Sequence, residues 1–378
     1  MRFNAPTRII FGSGILSQLG TTVEKELGGS RPLIITDRGV KAAGLLDKVR
    51  PFVPNAEVFD EVEANPRHTT VDKAGAYARE IKPDVIIGLG GGSALDAAKA
   101  VALLAANPGS IADYEGREKY HQSPIPVLAI PTTCGTGSEV TWVAVITHVE
   151  RVFKMSIKGS AMFPAVALVD PDFLLTLPPA LIASTGLDAL THAVEAYTVK
   201  PATLITDIFA RVAIQYIFPS LQPTWEDVRG QIGPREKLML GSTLAGVAFG
   251  NSDVGSVHCL SESLGAVFDT PHGVANSICL PYIMEFNLPV SMGRYADIAR
   301  MVGIGEEDDE AAAQSLIDEI RRVSRDLGIP TFKDLGIPED RLPEIALKSF
   351  ENNSNSSNPR EMEAEDYLRI LYRASREG

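Results

Sequence analysis

The sequence predicts an α/β domain over residues 1–178 followed by an all-α domain over residues 179–378. Three observations carry this prediction. Short apolar runs (PLIITD, DVIIGLG, PVLAIPTT) alternate in the first half with helical patterns such as ALDAAKAVALLAA, as buried parallel strands with crossover helices would. From Pro179 onward, helical stretches dominate, among them LIASTGLDALTHAVEAY and DEAAAQSLIDEIRRVSRDLG. Between the halves, VDPDFLLTLPPA carries Pro171, Pro178 and Pro179, and consecutive prolines end regular structure there.

Size and composition agree with two domains. The 378 residues exceed the size at which single cores usually stop growing, and a 45% hydrophobic, 22% charged composition is that of a globular chain. A net charge of -13 repels nucleic-acid phosphates and anionic lipid, so neither is an expected partner. The N-terminal MRFNAPTRIIFGSG lacks the charged start and apolar run of a secretory signal, and reads as a short strand and turn. No uninterrupted apolar run approaches the roughly 20 residues needed to span a bilayer, and the cytoplasm is the expected location. Cys134, Cys259 and Cys279 are too scattered for a disulfide framework and are read as reduced thiols. The Asn352 and Asn355 sequons fall in NNSNSSNP, read as a surface loop before the last helix.

In the first domain the run from Gly88 to Ser93 follows the strand DVII and opens a helix near Ala94, the order that a phosphate site needs. Glycines let the backbone approach a pyrophosphate, and free N–H groups at the helix start favour its charge. The same residues also fit a capping box of Ser93 and Asp96. Asp37 ends the earlier strand PLIIT, well before the glycines, so the strand order must differ from the ordinary dinucleotide fold. An aspartate there can accept hydrogen bonds from a ribose and repel a 2′-phosphate, favouring NAD over NADP; it can equally cap the next turn. A second loop, Pro131 to Glu139, follows the strand PVLAI and is dense in Thr, Ser and Gly, as an anion site would be.

The second domain carries a candidate metal set. Asp188 and His192 are four apart in GLDALTHAVEAY, hence on one helix face. His258 sits among small and apolar neighbours, where an unpaired imidazole is costly, and His272 follows a helix-ending proline. Three imidazoles and one carboxylate suit Fe²⁺, Zn²⁺, Mn²⁺, Co²⁺ or Ni²⁺ without choosing among them. His68, His121 and His148 lie apart from any other evident ligand and are read as surface or loop residues.

The GGGS turn, PTTCGTGSEVT, DPDFLLTLPP, GLDALTHAVEAY and VHCLSESLGAVFDTPHGVAN together resemble the iron-containing, group III alcohol dehydrogenase family, in order and over nearly the whole chain. The resemblance implies a dehydroquinate synthase-like fold, with an α/β nucleotide-binding domain, an all-α metal-binding domain, and substrate bound between them. It places the metal, Fe²⁺ first and Zn²⁺ or another ion otherwise, on Asp188, His192, His258 and His272. It implies NAD contacts from Asp37, Gly91, Gly92, Ser93, Asp96, Thr132, Thr133, Ser138, Lys154 and Leu177. It further implies reversible hydride transfer between a small primary or secondary alcohol and NAD, giving an aldehyde or ketone, in a homodimer or larger homo-oligomer. One position departs from the family: where many members have a second histidine a turn after the first, this chain has Glu262, which could orient His258, relay protons or bind substrate. Related scaffolds carry two other chemistries. A dehydroquinate synthase-like lyase would need basic residues for a phosphate near the metal, and a maleylacetate reductase-like enzyme would not need the ligand set.

Overall fold

The computed structural model describes residues 3–305 and 307–377. It divides into two compact units, 4–177 and 178–377, with Phe3 joining the second.

The first unit is built on a six-stranded sheet of β1 (Arg8–Phe11), β2 (Pro32–Asp37), β3 (Glu57–Val62), β4 (Val85–Gly90), β6 (Val127–Pro131) and β9 (Val166–Val169). Its order is β1-β9-β6-β4-β2-β3, with every pairing parallel. β4 and β6 are buried along their whole length. The reason is two-sided packing: Leu33, Ile35 and Ile86 join one apolar cluster, while Ile34, Val85, Ile87 and Leu89 join another on the opposite face. Helices α1 (His68–Ile81) and α2 (Gly92–Ala106) pack together beneath the first cluster. A smaller sheet places β5 (Gly116–Arg117) beside β8 (Phe153–Lys158), which forms an antiparallel hairpin with β7 (Val143–His148).

Leaving out edge strand β1, the sheet reads 2-1-3-4-5, the second common doubly wound order, and so differs from the ordinary dinucleotide fold as the early position of Asp37 predicts. The order reverses between β2 and β4. Ligands of such sheets bind at the strand carboxyl ends beside that reversal.

The second unit is helical throughout its regular structure: α3 (Pro179–Thr198), α4 (Leu204–Glu226), α5 (Ile232–Phe249), α6 (Ser256–Phe268), α7 (His272–Met301), α8 (Asp309–Asp326), α9 (Leu342–Phe350) and α10 (Ala364–Arg376), with short 3₁₀ turns between. From Ile182 to Thr198, α3 is buried at every position except Thr185, as a central helix hydrophobic all round would be. α4 is long and apolar enough, by length and composition, to cross a membrane. It packs on α3 and α5, and its Asp207 and Arg211 are ion-paired to Arg294 and Asp297 of α7.

The NNSNSSNP tract is not the plain surface loop that its composition suggests. Ser354, Ser357 and Asn358 are buried, Asn358 exchanges hydrogen bonds with Asn287, and the hydroxyls of Ser354 and Ser357 both donate to Asp253. The side-chain nitrogens of both sequon asparagines are engaged as well, Asn352 with Glu262 and Asn355 with the Met362 carbonyl. Polar composition marked a loop, but these side chains find partners in the core.

Candidate metal centre and nucleotide site

Asp188, His192 and Glu195 follow one another along α3 at spacings of four and three, so they share one stripe of the helix. α6 brings His258 and α7 begins at His272. A side chain on Gly273 would lie 2.5 Å from the Ser184 carbonyl oxygen, so only glycine lets the start of α7 approach α3 this closely. One ligand atom from each of Asp188, His192, His258 and His272 then lies within 4.8 Å of the other three. Asp188, His192 and His258 are buried, and His272 is half-buried.

The proton positions are set from outside this group. The Nδ1 of His258 lies 2.5 Å from Glu195 Oε2, while Glu195 Oε1 accepts from the Val257 N–H at 2.8 Å. The neutral His258 ring therefore carries its proton on Nδ1, and its Nε2 presents a lone pair 2.9 Å from His192 Nε2. Burial lowers the His258 pKa, but the Glu195 charge and hydrogen bond, assisted by Asp188 and Glu262, bring the balance above the ordinary histidine value. Asn276, one turn into α7, has its Nδ2 2.6 Å from Asp188 Oδ1 and 3.2 Å from the Nε2 atoms of both His258 and His272. With both rings neutral and protonated on Nδ1, as metal ligation through Nε2 requires, one amide with two protons faces three acceptors. Acceptors outnumber donors at this point, and a cation fits the donor set. Phe249 closes one side, stacked on the His192 ring at 4.3 Å.

Glu195 escaped the sequence reading, although it stands three residues after His192 on the same face; that spacing was the available signal. Glu262 does not orient His258, since Glu195 occupies Nδ1; its Oε2 accepts instead from Asn352 Nδ2 at 2.6 Å. Phe268 lies against Arg341, whose guanidinium carbon is 5.3 Å from the ring centroid.

In the α/β unit, three of the candidate segments meet at the carboxyl ends of β2, β4 and β6. Gly91 precedes α2 and Gly92 begins it, with no side-chain cap, so the Ser93–Asp96 capping box does not form. A side chain on Gly92 would come within 2.6 Å of Thr136 Cγ2, so the loop after β6 closes directly on the helix start. The Thr132 N–H donates to the Gly90 carbonyl at 3.0 Å, and Thr133 packs beside Gly91. Asp37 caps the short helix Arg38–Ala42 through Oδ1, accepting from the Val40 N–H at 2.8 Å, while Oδ2 faces Gly90.

Asp96 is engaged inside the protein. It accepts from Ser138 Oγ at 2.5 Å and from the Val145 N–H at 2.9 Å, and pairs with the wholly buried Lys99 at 3.2 Å. Burial lowers the Lys99 pKa, with Asp96 and Glu139 opposing, and its Nζ donates to the carbonyls of Ser138 and Val143. Asp96, Ser138 and Lys99 therefore fix the loop and β7 to the helix start. Lys154 and Leu177 come from other elements: Lys154 on β8 donates to Asn65 Oδ1 at 2.9 Å, and half-buried Leu177 follows the turn Pro171–Thr176.

Known proteins match this chain over nearly its whole length. The family model described as iron-containing alcohol dehydrogenase covers residues 6–171, and that for the C-terminal part of the Fe-containing alcohol dehydrogenase family covers residues 182–375. An NAD-dependent methanol dehydrogenase of Bacillus methanolicus is 35% identical, over 98% of this chain and 99% of its own. A 1,3-propanediol dehydrogenase of Klebsiella pneumoniae is 36% identical, over 98% of this chain and 97% of its own. The crystal structure of a 1,3-propanediol oxidoreductase superposes with a TM-score of 0.94 at 36% identity, covering 99% of this chain and all (100%) of that one.

Proposed function

The chain belongs to the iron-containing alcohol dehydrogenase family, and on that premise we propose that Asp188, His192, His258 and His272 hold its divalent ion. The protein is an NAD-linked oxidoreductase acting on alcohols. The reaction we assign is reversible hydride transfer between NAD and a small primary or secondary alcohol, in line with the methanol and propanediol named for its relatives. When bound, the ion supplies the charge that polarises the alcohol or carbonyl oxygen, and the nicotinamide exchanges the hydride.

The residues of the chain prepare that step. Glu195 holds the His258 proton on Nδ1 and keeps Nε2 free for the ion. Asn276 restrains Asp188, and Phe249 shields the His192 face. Glu262, half-buried and tied to Asn352, offers a carboxylate to a proton or to a polar group of the substrate. Gly91, Gly92, Ser93, Thr132 and Thr133 offer the backbone and hydroxyl groups for the pyrophosphate, with Asp96 and Ser138 bracing them. Asp37 favours the unphosphorylated ribose. Lys154 and Leu177 are assigned to the cofactor from the family resemblance.

The observation carrying this reading is the convergence of four donor atoms with the His258 proton turned outward. Metal-free protein should show no alcohol-dependent NADH formation, and Fe²⁺ added without oxygen should restore it across a panel of short alcohols. Full activity of the stripped protein would overturn it. A lyase is not favoured: Glu195, Asn276, Ser261 and Phe249, which contact the ligands, bring no basic group to bind a phosphate. An intact ligand set also argues against a metal-free reductase. We further assign the protein to the cytoplasm as a homodimer or larger homo-oligomer, the latter supported by the open edge strand β1 and by exposed Leu204, Ile205 and Ile208.

A further inference from the structure

The structure brings together two of the histidines that sequence spacing left apart. The β-bridge between Arg67 and Thr147 is parallel, and the Thr147 N–H donates to the Pro66 carbonyl at 2.8 Å. His68 and His148 are each one residue beyond that bridge, so they emerge side by side, with ring centroids 4.6 Å apart. Glu150, two residues further into the hairpin turn, folds back over them. Its Oε2 lies 3.0 Å from His148 Nδ1 and 3.4 Å from His68 Nε2. One ligand atom from each residue lies within 4.8 Å of the other two.

We propose that His68, His148 and Glu150 form a second divalent transition-metal site, in the α/β unit and separate from the Asp188 centre. Two imidazole nitrogens and a carboxylate oxygen make a donor set for Zn²⁺ and ions like it, with remaining positions open to water. The geometry around His148 favours a cation. Its Nδ1 is buried without a well-directed hydrogen bond, although a carboxylate oxygen is 3.0 Å away. Ligation through His68 Nε2 puts that ring's proton on Nδ1, and releases the long 3.3 Å contact from the Val149 N–H. Glu150 is exposed, which leaves the site open to exchange with solvent. A bound ion would tie the β7–β8 hairpin to the start of α1.

Equilibrium dialysis of metal-free, full-length protein against Zn²⁺ tests this. Wild type should bind two ions per chain, and His148→Ala, Glu150→Gln and His258→Ala one each. The double variant His148→Ala/His258→Ala should bind none. The weakened site should lose at least about tenfold in affinity, since even outer-shell partners of a metal are worth that much. Glu150→Gln alters only an exposed turn residue and keeps the test valid if His148→Ala does not fold. Binding of one ion by wild type, or of two by both His148→Ala and Glu150→Gln, would overturn the proposal; the His258→Ala count separates this result from failure of the Asp188 site.

Discussion

The carboxylate of Glu195 meets the Nδ1 of His258 at 2.5 Å, and both groups are buried. This pair decides which imidazole nitrogen faces the ligand cluster. Glu195→Gln keeps the shape but offers an amide in place of the charged acceptor. Metal affinity, read by chelator competition, should fall by about 10- to 100-fold. Unchanged affinity would show that His258 needs no help to present Nε2.

His272 and His258 should separate metal binding from stability. Alanine at His272, half-buried and bonded weakly to Ser261, should abolish metal retention at the Asp188 centre with little change in the denaturant midpoint. Alanine at His258 leaves the buried Glu195 oxygen without its partner, and should cost about 1–3 kcal/mol besides. Equal destabilisation by both replacements would contradict the assigned roles.

Asp37 combines a helix cap with a negative charge at the carboxyl end of β2. Asp37→Ser retains a capping hydroxyl, so stability should change by well under the ~1 kcal/mol that losing the cap would cost. Removal of the charge should raise kcat/KM with NADP relative to NAD by roughly tenfold, an energy difference of about 1.4 kcal/mol. A cofactor ratio like that of wild type would remove Asp37 from cofactor choice.

Glu285 on α7 is bridged to Arg321 of α8 at 2.7 Å and to Arg373 of α10 at 2.6 Å. Burial raises its pKa, but the two guanidinium groups prevail and hold it below the ordinary value. A depressed folded-state pKa contributes stability that is present above the unfolded value of about 4.3 and lost as pH falls through the folded value. Urea unfolding should therefore show Glu285→Gln weaker than wild type at pH 7, by on the order of 1 kcal/mol, with the gap closing in acid. A gap that persists unchanged at acid pH would assign the loss to packing.

Local chemistry carried much of the fold and site. The apolar runs ending in Asp37, Gly90 and Pro131 became parallel strands, because continuous burial on two faces needs such runs. The four-residue spacing of Asp188 and His192 put both on one face of α3, because helical periodicity is a property of the chain alone. Glu195 was within reach of the same logic, at the next position of that stripe.

Other relationships join residues far apart in the chain, where no period applies. Glu195 to His258, Glu262 to Asn352 and the pairing of Asn287 with Asn358 depend on how helices and the segment before α10 pack, which side-chain volumes across the unit decide together. The same holds for His68, His148 and Glu150, which only a β-bridge between distant segments sets side by side. The sequence by itself determined the two-part architecture, the glycine turn and a four-residue candidate ligand set. Tertiary structure alone decided which nitrogen of His258 holds the proton, that Asp96 braces a loop, and that two histidines read as unrelated share a carboxylate. The physical reason is that hydrogen-bond partners are chosen by distance and direction in space, and those are settled only once the elements pack.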